Sequence, residues 1–408
     1  MKVDAKQQFS ENDLDRFIAG RCMSFVGNPR ISLKLWNGNE YSFADRSPVG
    51  RLVIHDRKAL LGVLKSPPVA FGEAYTNGLM DVEGDFGEFI NEISRAYSRK
   101  STRGYRLQKL RSGLAALRSN TPSRSQHNVY HHYDLGNDFY RLWLDERMVY
   151  TCAYYEHPEA TLAEAQLAKL DHVCRKLRLK PGQTVVEAGC GWGSLALHMA
   201  EHYGVTVTAY NFSHEQVAWA RQQASARGLS DRVTFVEDDY RNITGLYDVF
   251  CSVGMLEHVG LRNFHTLGEV IRRSLKPSGI GLIHSIGRSH PRPPDPWIAR
   301  NIFPGGHIPS LGDMAAVFEP FKYSVLDVEN LRLHYAKTCR AWLHNFEAVA
   351  DRVRRMYDER FVRMWRLYLA GSAAGFRSGT LQLYQVVFAP HGNNDVPWTR
   401  RHLYPERG

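Results

Sequence analysis

No apolar run in the 408 residues approaches the roughly 18 consecutive residues that a membrane-spanning helix requires. The opening Met-Lys-Val-Asp-Ala-Lys is too polar for a signal peptide. Both absences point to a cytoplasmic protein. The six cysteines, Cys22, Cys152, Cys174, Cys190, Cys251 and Cys339, include no Cys-x-x-Cys pair, which argues against a zinc site and supplies no disulfide framework. Reduced thiols are the simplest reading, and no metal is expected. Acid is missing from one long stretch: Arg95 to Arg124 holds nine basic residues and no carboxylate. Within it Leu107, Leu110, Leu114 and Leu117 recur at helical spacing. A basic amphipathic helix of this kind suits a membrane surface, or equally a solvated linker packed on its own protein. The net charge of +10 calls for an anionic partner. No recognisable nucleic-acid motif accompanies it, so nucleic acid is not expected.

Residues 184 to 193 read Thr-Val-Val-Glu-Ala-Gly-Cys-Gly-Trp-Gly, an apolar strand that ends on an acid and runs into three alternate glycines. Without a Cβ, Gly189, Gly191 and Gly193 let the backbone close on a nucleotide-like ligand at the carboxyl end of a strand. The helix expected over Ser194 to His202 then points its N-terminus at that ligand. A dinucleotide site wants Gly-x-Gly-x-x-Gly and a phosphate loop ends in Gly-Lys-Ser/Thr; neither is here. The pattern Glu-x-Gly-x-Gly-x-Gly instead resembles the first motif of S-adenosylmethionine-dependent methyltransferases.

The length, with 43% hydrophobic and 23% charged residues, allows two globular domains with a substantial core. Residues 1–94 mix β-like runs, Ile31 to Trp36 and Arg51 to His55, with a turn-rich Gly72 to Gly87, as in a small α/β accessory domain. Residues 95–125 form the basic linker, 126–390 the catalytic domain and 391–408 a tail. Strands are expected at Val185–Glu187, Val205–Tyr210, Val233–Val236, Tyr247–Val253 and Gly279–His284, separated by helices over His214 to Arg227 and Leu261 to Leu275. This alternation implies an α/β fold with a Rossmann-like, mostly parallel sheet covered on both faces. Its ligands belong beyond the carboxyl ends of the strands. There stand the glycines, then Asn211 to Gln216, Glu237 to Tyr240, Gly254 to His258, and His284 to Ile286.

Six segments together resemble one family: His132 to Tyr140, Tyr150-Thr-Cys-Ala-Tyr-Tyr155, Glu187 to Gly193, Leu256-Glu-His258, Ile302-Phe-Pro-Gly-Gly306 and His334-Tyr-Ala-Lys-Thr338. They are similar to cyclopropane-fatty-acyl-phospholipid synthases and the related mycolic acid methyltransferases, over about residues 126 to 390. Phe71 to Gly78 resembles the amino-terminal domain of the members that act on membrane phospholipid. The resemblance implies S-adenosylmethionine as cofactor, held by Tyr150, Thr151, Glu187, Gly189, Gly191, Gly193, Asn211, Gln216, Asp239 and Tyr240. It implies a phospholipid with unsaturated acyl chains as partner, peripheral association with the inner face of the membrane, and a homodimer. Two positions depart from the family pattern. Tyr155 replaces Phe or Trp, and the second strand closes on Tyr210-Asn-Phe-Ser with no acid, leaving Asn211 or Gln216 to hold the ribose through amide hydrogen bonds.

The chemistry implied is transfer of a methylene carbon onto a cis double bond, which develops a cation that aromatic faces stabilise. Tyr150, Tyr154, Tyr155, Trp192 and Tyr240 lie within or beside the motifs. Ring closure needs a base, and the family resemblance implies a bound bicarbonate ion held by Cys152, Glu257, His284, the Ile286 backbone and Tyr335. Taken singly, Cys152 also reads as a buried small residue, His284 as a satisfied strand-end histidine and Glu257 as a helix-capping acid. A methyl-branched or methyl-alkene product, or methylation of a small amine, are the competing outcomes on the same scaffold.

Overall fold

The computed structural model describes residues 11–65, 67–99 and 135–404. The four leucines of the basic stretch, and His132, Tyr133 and Asp134, lie outside the described residues. The chain divides into two compact units, the first made of Met1–Arg103, Asp295–Trp297 and Ala350–Ser378. In that unit β1 (Ser32–Lys34), β2 (Glu40–Ser42), β3 (Arg51–Ile54) and β4 (Met80–Glu83) pair in the order β2-β1-β3-β4. Ile31, Leu33 and Leu35 alternate into its core. The strand then turns at Asn37-Gly38, where Gly38 takes φ 84°.

The segment Gly72 to Gly87, expected to be turn-rich, is mostly regular. Gly72 lies inside the helix Pro67–Thr76, β4 follows, and a helix opens at Phe86. Proline is compatible with a first helical turn, and Gly78 at φ 74° ends this one. The long helix Glu359–Ser378 belongs to this first unit. Its Arg363 donates to Asp81 Oδ1 at 2.8 Å and to the Tyr75 carbonyl, and lies 4.3 Å over the Tyr75 ring.

The second unit is built on seven strands in the order β10-β11-β9-β8-β5-β6-β7. Five of them run parallel at the expected places: β5 (Thr184–Ala188), β6 (Thr206–Asn211), β7 (Val233–Glu237), β8 (Tyr247–Val253) and β9 (Leu275–Gly287). β9 starts earlier and ends later than its apolar core suggested. β10 (Tyr323–Asn330) and β11 (Gln382–Pro390) complete the sheet, with β11 antiparallel to both neighbours. Helices Ser194–Tyr203, His214–Ala226 and Phe264–Ser274 separate the parallel strands. Two apolar clusters cover the two faces, one including Val185 and Leu197 and the other Val186 and Phe250, as alternation along buried strands requires. β5 has β6 on one side and β8 on the other, so the strand order reverses there. That reversal opens a crevice beyond the carboxyl ends of β5 and β8.

Candidate active site

The loop after β5 lines this crevice. Gly189, Gly191 and Gly193 all take positive φ, 84°, 53° and 83°. A Cβ on Gly189 would lie 2.9 Å from Met255 Cβ in the loop after β8, and one on Gly193 would lie 2.6 Å from the Phe235 ring. These two glycines are therefore required for packing. A Cβ on Gly191 would meet nothing within 4 Å, which leaves the middle of the loop open to a ligand. Gly193 then leads directly into the helix Ser194–Tyr203.

Asn211, at the end of β6, braces that loop: its Nδ2 donates to the Gly191 carbonyl at 3.1 Å and to Gln216 Oε1 at 2.8 Å. Its amide hydrogens are thus engaged. Gln216 Nε2 is buried without a partner among the described residues, so it is the amide with a donor to offer. Asp239 is also committed, accepting from the Arg241 amide and guanidinium, each at 2.8 Å. The Tyr240 hydroxyl beside it is buried with no close hydrogen-bond partner among the described residues, and burial pushes it up to about 12 against the pull of the neighbouring Arg241. Glu187 is 2% exposed, with Oε2 unpartnered among the described residues. Burial pushes its carboxyl up to about 7, against the pull of Lys169 and the Ala196 amide.

The second group of residues gathers around β9. Glu257 sits on the short helix Leu256–Val259 after β8, and its Oε1 accepts from the Ile286 amide at 2.5 Å. The Ile286 N–H, expected to donate to a bound anion, is instead spent on orienting this carboxylate. Glu257 Oε2 is buried and unpartnered among the described residues, and burial pushes the group up to about 7. His284, 1% exposed and two residues before Ile286, shares its side of the strand. Its Nδ1 accepts from Gln385 Nε2 on β11 at 3.1 Å, which leaves the proton on Nε2, unpartnered among the described residues. Burial first, then Lys169 and Lys176, hold this imidazole well below its usual range, hence neutral.

Cys152 and Tyr335 meet at another point. The Cys152 thiol faces the Leu331 carbonyl at 3.8 Å, and the same carbonyl accepts from the Tyr335 amide at 3.1 Å. Burial raises the thiol well above its ordinary value, so it is a thiol and not a thiolate. Leu331 in turn donates to the Leu383 carbonyl, and Leu383 is registered opposite Ile286. Tyr335 edges onto Trp342 at 5.9 Å, and Trp342 packs on Tyr150 at 5.2 Å. Tyr140 and Trp143 complete an aromatic wall around Tyr150.

Not every motif aromatic belongs to that wall. Tyr154 is sandwiched between His172 at 4.0 Å and His334 at 4.9 Å, so both its faces are covered and neither is available to a cation. Tyr155 has Lys337 Nζ 4.1 Å over its ring, and Tyr240 has the Arg241 guanidinium at 5.1 Å. Trp192 packs at a tilt against Tyr140, with ring centroids 5.0 Å apart, and donates to Asn137 Oδ1. One residue of the site was not foreseen. Lys169, 2% exposed, donates from Nζ to Thr151 Oγ1 at 3.0 Å, and its charge acts on Cys152, Glu187 and His284 alike. A lysine in step with the apolar positions Ala165, Leu170 and Val173 was the available signal.

Among the described residues no cluster of His, Cys, Asp and Glu is placed to hold a metal ion. The unpartnered Gln216 Nε2, Tyr240 hydroxyl and Glu187 Oε2 around an open glycine loop fit an adenosyl amino acid. Fold and site together define an S-adenosylmethionine-dependent methyltransferase. The profile described as mycolic acid cyclopropane synthetase matches residues 120–386, and the chain belongs to that family. A second profile, of a domain of unknown function, matches residues 21–102. The chain is 36% identical over 389 residues to a probable fatty acid methyltransferase of Pseudomonas putida, covering 92% of this chain and 96% of that one. It is 38% identical over 329 residues to the cyclopropane-fatty-acyl-phospholipid synthase of Escherichia coli, covering 80% and 84%. Among solved structures, the mycolic acid cyclopropane synthase CmaA1 complexed with SAH and CTAB superposes with TM-score 0.62 at 30% identity, covering 64% of this chain and 97% of that one.

Proposed function

We propose that the protein transfers a methylene carbon from S-adenosylmethionine to the cis double bond of an unsaturated acyl chain in membrane phospholipid, forming a cyclopropane ring. The observation that carries this reading is that a neutral His284 on β9 and Glu257 on the helix after β8 each keep one buried atom unpartnered among the described residues. S-adenosylmethionine supplies an electrophilic methyl sulfonium, and bicarbonate supplies a base for the proton that leaves the transferred carbon. His284 Nε2–H donates to the anion and Glu257 Oε2 accepts from its hydroxyl, while Ile286 fixes the carboxylate through Oε1. Tyr335 and the Cys152 thiol would complete the set of groups around the anion. Gln216 and Tyr240 hold the adenosine, Asn211 and Asp239 shape the loops that carry them, and Tyr150 and Thr151 take the amino-acid end. Trp143, Tyr150 and Trp342 exclude water and present aromatic faces to a developing cation.

The Pseudomonas relative, similar over nearly the whole chain, favours a second outcome: a fatty-acyl methyltransferase whose product keeps a methyl branch. Incubation with labelled S-adenosylmethionine and vesicles of cis-unsaturated phospholipid, followed by mass spectrometry of the fatty acid esters, separates the two. A saturated ring supports the synthase. A methyl-branched alkene or alkane supports the second outcome, and absence of label from lipid refutes both. Activity in bicarbonate-free buffer is expected to fall and to return on adding bicarbonate. In this reading residues 1–94 and the basic linker 95–125 bring the catalytic region to the inner face of an anionic membrane.

A further inference from the structure

Lys169 presents an electrostatic problem that the preceding roles leave unsolved. It lies on the helix Leu162–Lys176, which starts with a capping box of Thr161 and Glu164, and its side chain is buried. Among the described residues no carboxylate stands within 4.0 Å of its ammonium, and its hydrogen-bond partner is a neutral hydroxyl, Thr151 Oγ1 at 3.0 Å. A buried cation with one neutral partner is costly unless an anion reaches its neighbourhood. An ammonium carries three donors, and Thr151 takes one. Burial pulls Lys169 down to about 8, partly restored by Asp145, Cys152 and Glu187, so it is still mainly charged near neutrality.

Three hydrogen bonds from side chains of this helix hold the Tyr150 segment. Gln166, one turn before Lys169, donates from Nε2 to the Val149 carbonyl at 3.3 Å and to the Thr151 carbonyl at 2.9 Å. With both backbone flanks held, the Thr151 side chain is fixed between Lys169 and the loop after β8, where a Cβ on Gly254 would lie 2.9 Å from Thr151 Cγ2. An oxygen that accepts from an ammonium turns its own hydrogen elsewhere. Thr151 is thereby set as a donor, polarised by the cation behind it. Glu187, buried at the start of the glycine loop with Oε2 unpartnered, is an acceptor of opposite sign in the same field. A zwitterion fits such a pair: a carboxylate on the lysine side and an ammonium on the glutamate side.

We propose that Lys169 is a positioning residue that, through the Thr151 hydroxyl, recognises the α-carboxylate of S-adenosylmethionine. The proposal rests on the cofactor lying along Tyr150, Thr151 and the glycine loop. It does not depend on the fate of the acyl chain, because its test contains no lipid. Binding of S-adenosylhomocysteine and of its decarboxylated analogue to the full chain is measured by calorimetry. Lys169→Met is expected to weaken S-adenosylhomocysteine by about ten-fold or more and the decarboxylated analogue by less than about two-fold. Thr151→Val reproduces that selectivity, Thr151→Ser restores wild-type affinity, and the double variant Lys169→Met, Thr151→Val is no weaker than either single one. Thr151→Val carries the same comparison if Lys169→Met does not fold, as judged by its thermal melt. Equal weakening of both ligands, or none, assigns Lys169 a purely structural role and overturns the proposal. A wild-type protein that binds both ligands equally also overturns it, and one that binds neither overturns the cofactor placement beneath it.

Discussion

Glu257 and Glu329 are carboxylates of one unit displaced in opposite directions, and the sign of each displacement fixes a measurable pH effect. Glu257 is raised from 4.5 to about 7 by burial. The folded state therefore holds its proton more tightly than the unfolded chain, so this group's contribution to stability is full below about pH 4.5 and declines as pH rises toward 7. Glu257→Gln is expected to be more stable than wild type at pH 8, by on the order of 1 to 3 kcal/mol, with the gap closing by pH 5. Denaturant melts across that range measure it, and on the proposed function transfer of labelled carbon to lipid by the same variant should drop at least about hundred-fold. Glu329 is lowered to about 2: burial opposes this, but hydrogen bonds from His172 and Lys176, both at 2.7 Å, outweigh it. Its contribution is present above about pH 4.5 and lost as pH falls toward 2. Glu329→Gln leaves Lys176 buried without its counter-charge and should cost about 3 to 5 kcal/mol at pH 7, read from the same melts. Glu257 and His284 were legible as candidates because the apolar runs before them read as strands, although His284 lies inside β9 and Glu257 on the helix after β8. Lys169 and the Glu329 group were not. A buried cation is disclosed by what encloses it, and the enclosing residues, Thr151 for one and β10 for the other, are remote in sequence.

At the scale of elements, the glycine loop after β5 separates packing from binding. Gly193→Ala would drive a Cβ into the Phe235 ring and the Ala220 methyl, at 2.6 and 2.8 Å, while holding a left-handed backbone. A loss of about 3 kcal/mol or more in stability is expected. Gly191→Ala meets only the dihedral penalty of about 1 to 2 kcal/mol, yet places a methyl group where the loop is open. Its melting temperature should stay close to wild type while S-adenosylhomocysteine affinity falls at least about ten-fold, and a variant that kept full affinity would contradict the placement of the ligand. The five parallel strands could be read from sequence because each contains buried apolar residues between helical segments, although the edge strand β7 leaves Thr234 and Glu237 exposed. β10 could not, since most of its residues are partly or fully exposed. β11 was missed for another reason: a twenty-residue helix of the other unit, Glu359–Ser378, precedes it and hides its place in the sheet.

At the scale of the whole molecule, charge and topology set separate constraints. No helix among the described residues is long and apolar enough to cross a membrane. The net charge of +10 makes attachment to an anionic bilayer the expected route to a lipid substrate. Reversing the charge of Arg103, Arg106 and Lys109 should lower flotation with anionic vesicles and activity on them by about ten-fold or more, with S-adenosylhomocysteine binding unchanged. Loss of both together would signal misfolding. The route of the backbone constrains the molecule in another way. After the helix Arg332–Ala348 it gives Ala350–Ser378 to the first unit, then returns as β11, the strand that carries Gln385 to His284. One scission cannot release either unit whole, and a fragment of residues 135–404 would keep the helix bearing Trp365, Leu369 and Phe376 without the small sheet of its own unit. A recombination event that exchanged the amino-terminal unit would therefore have to replace three separate stretches of the gene at once, which favours inheritance of the two units as a single piece.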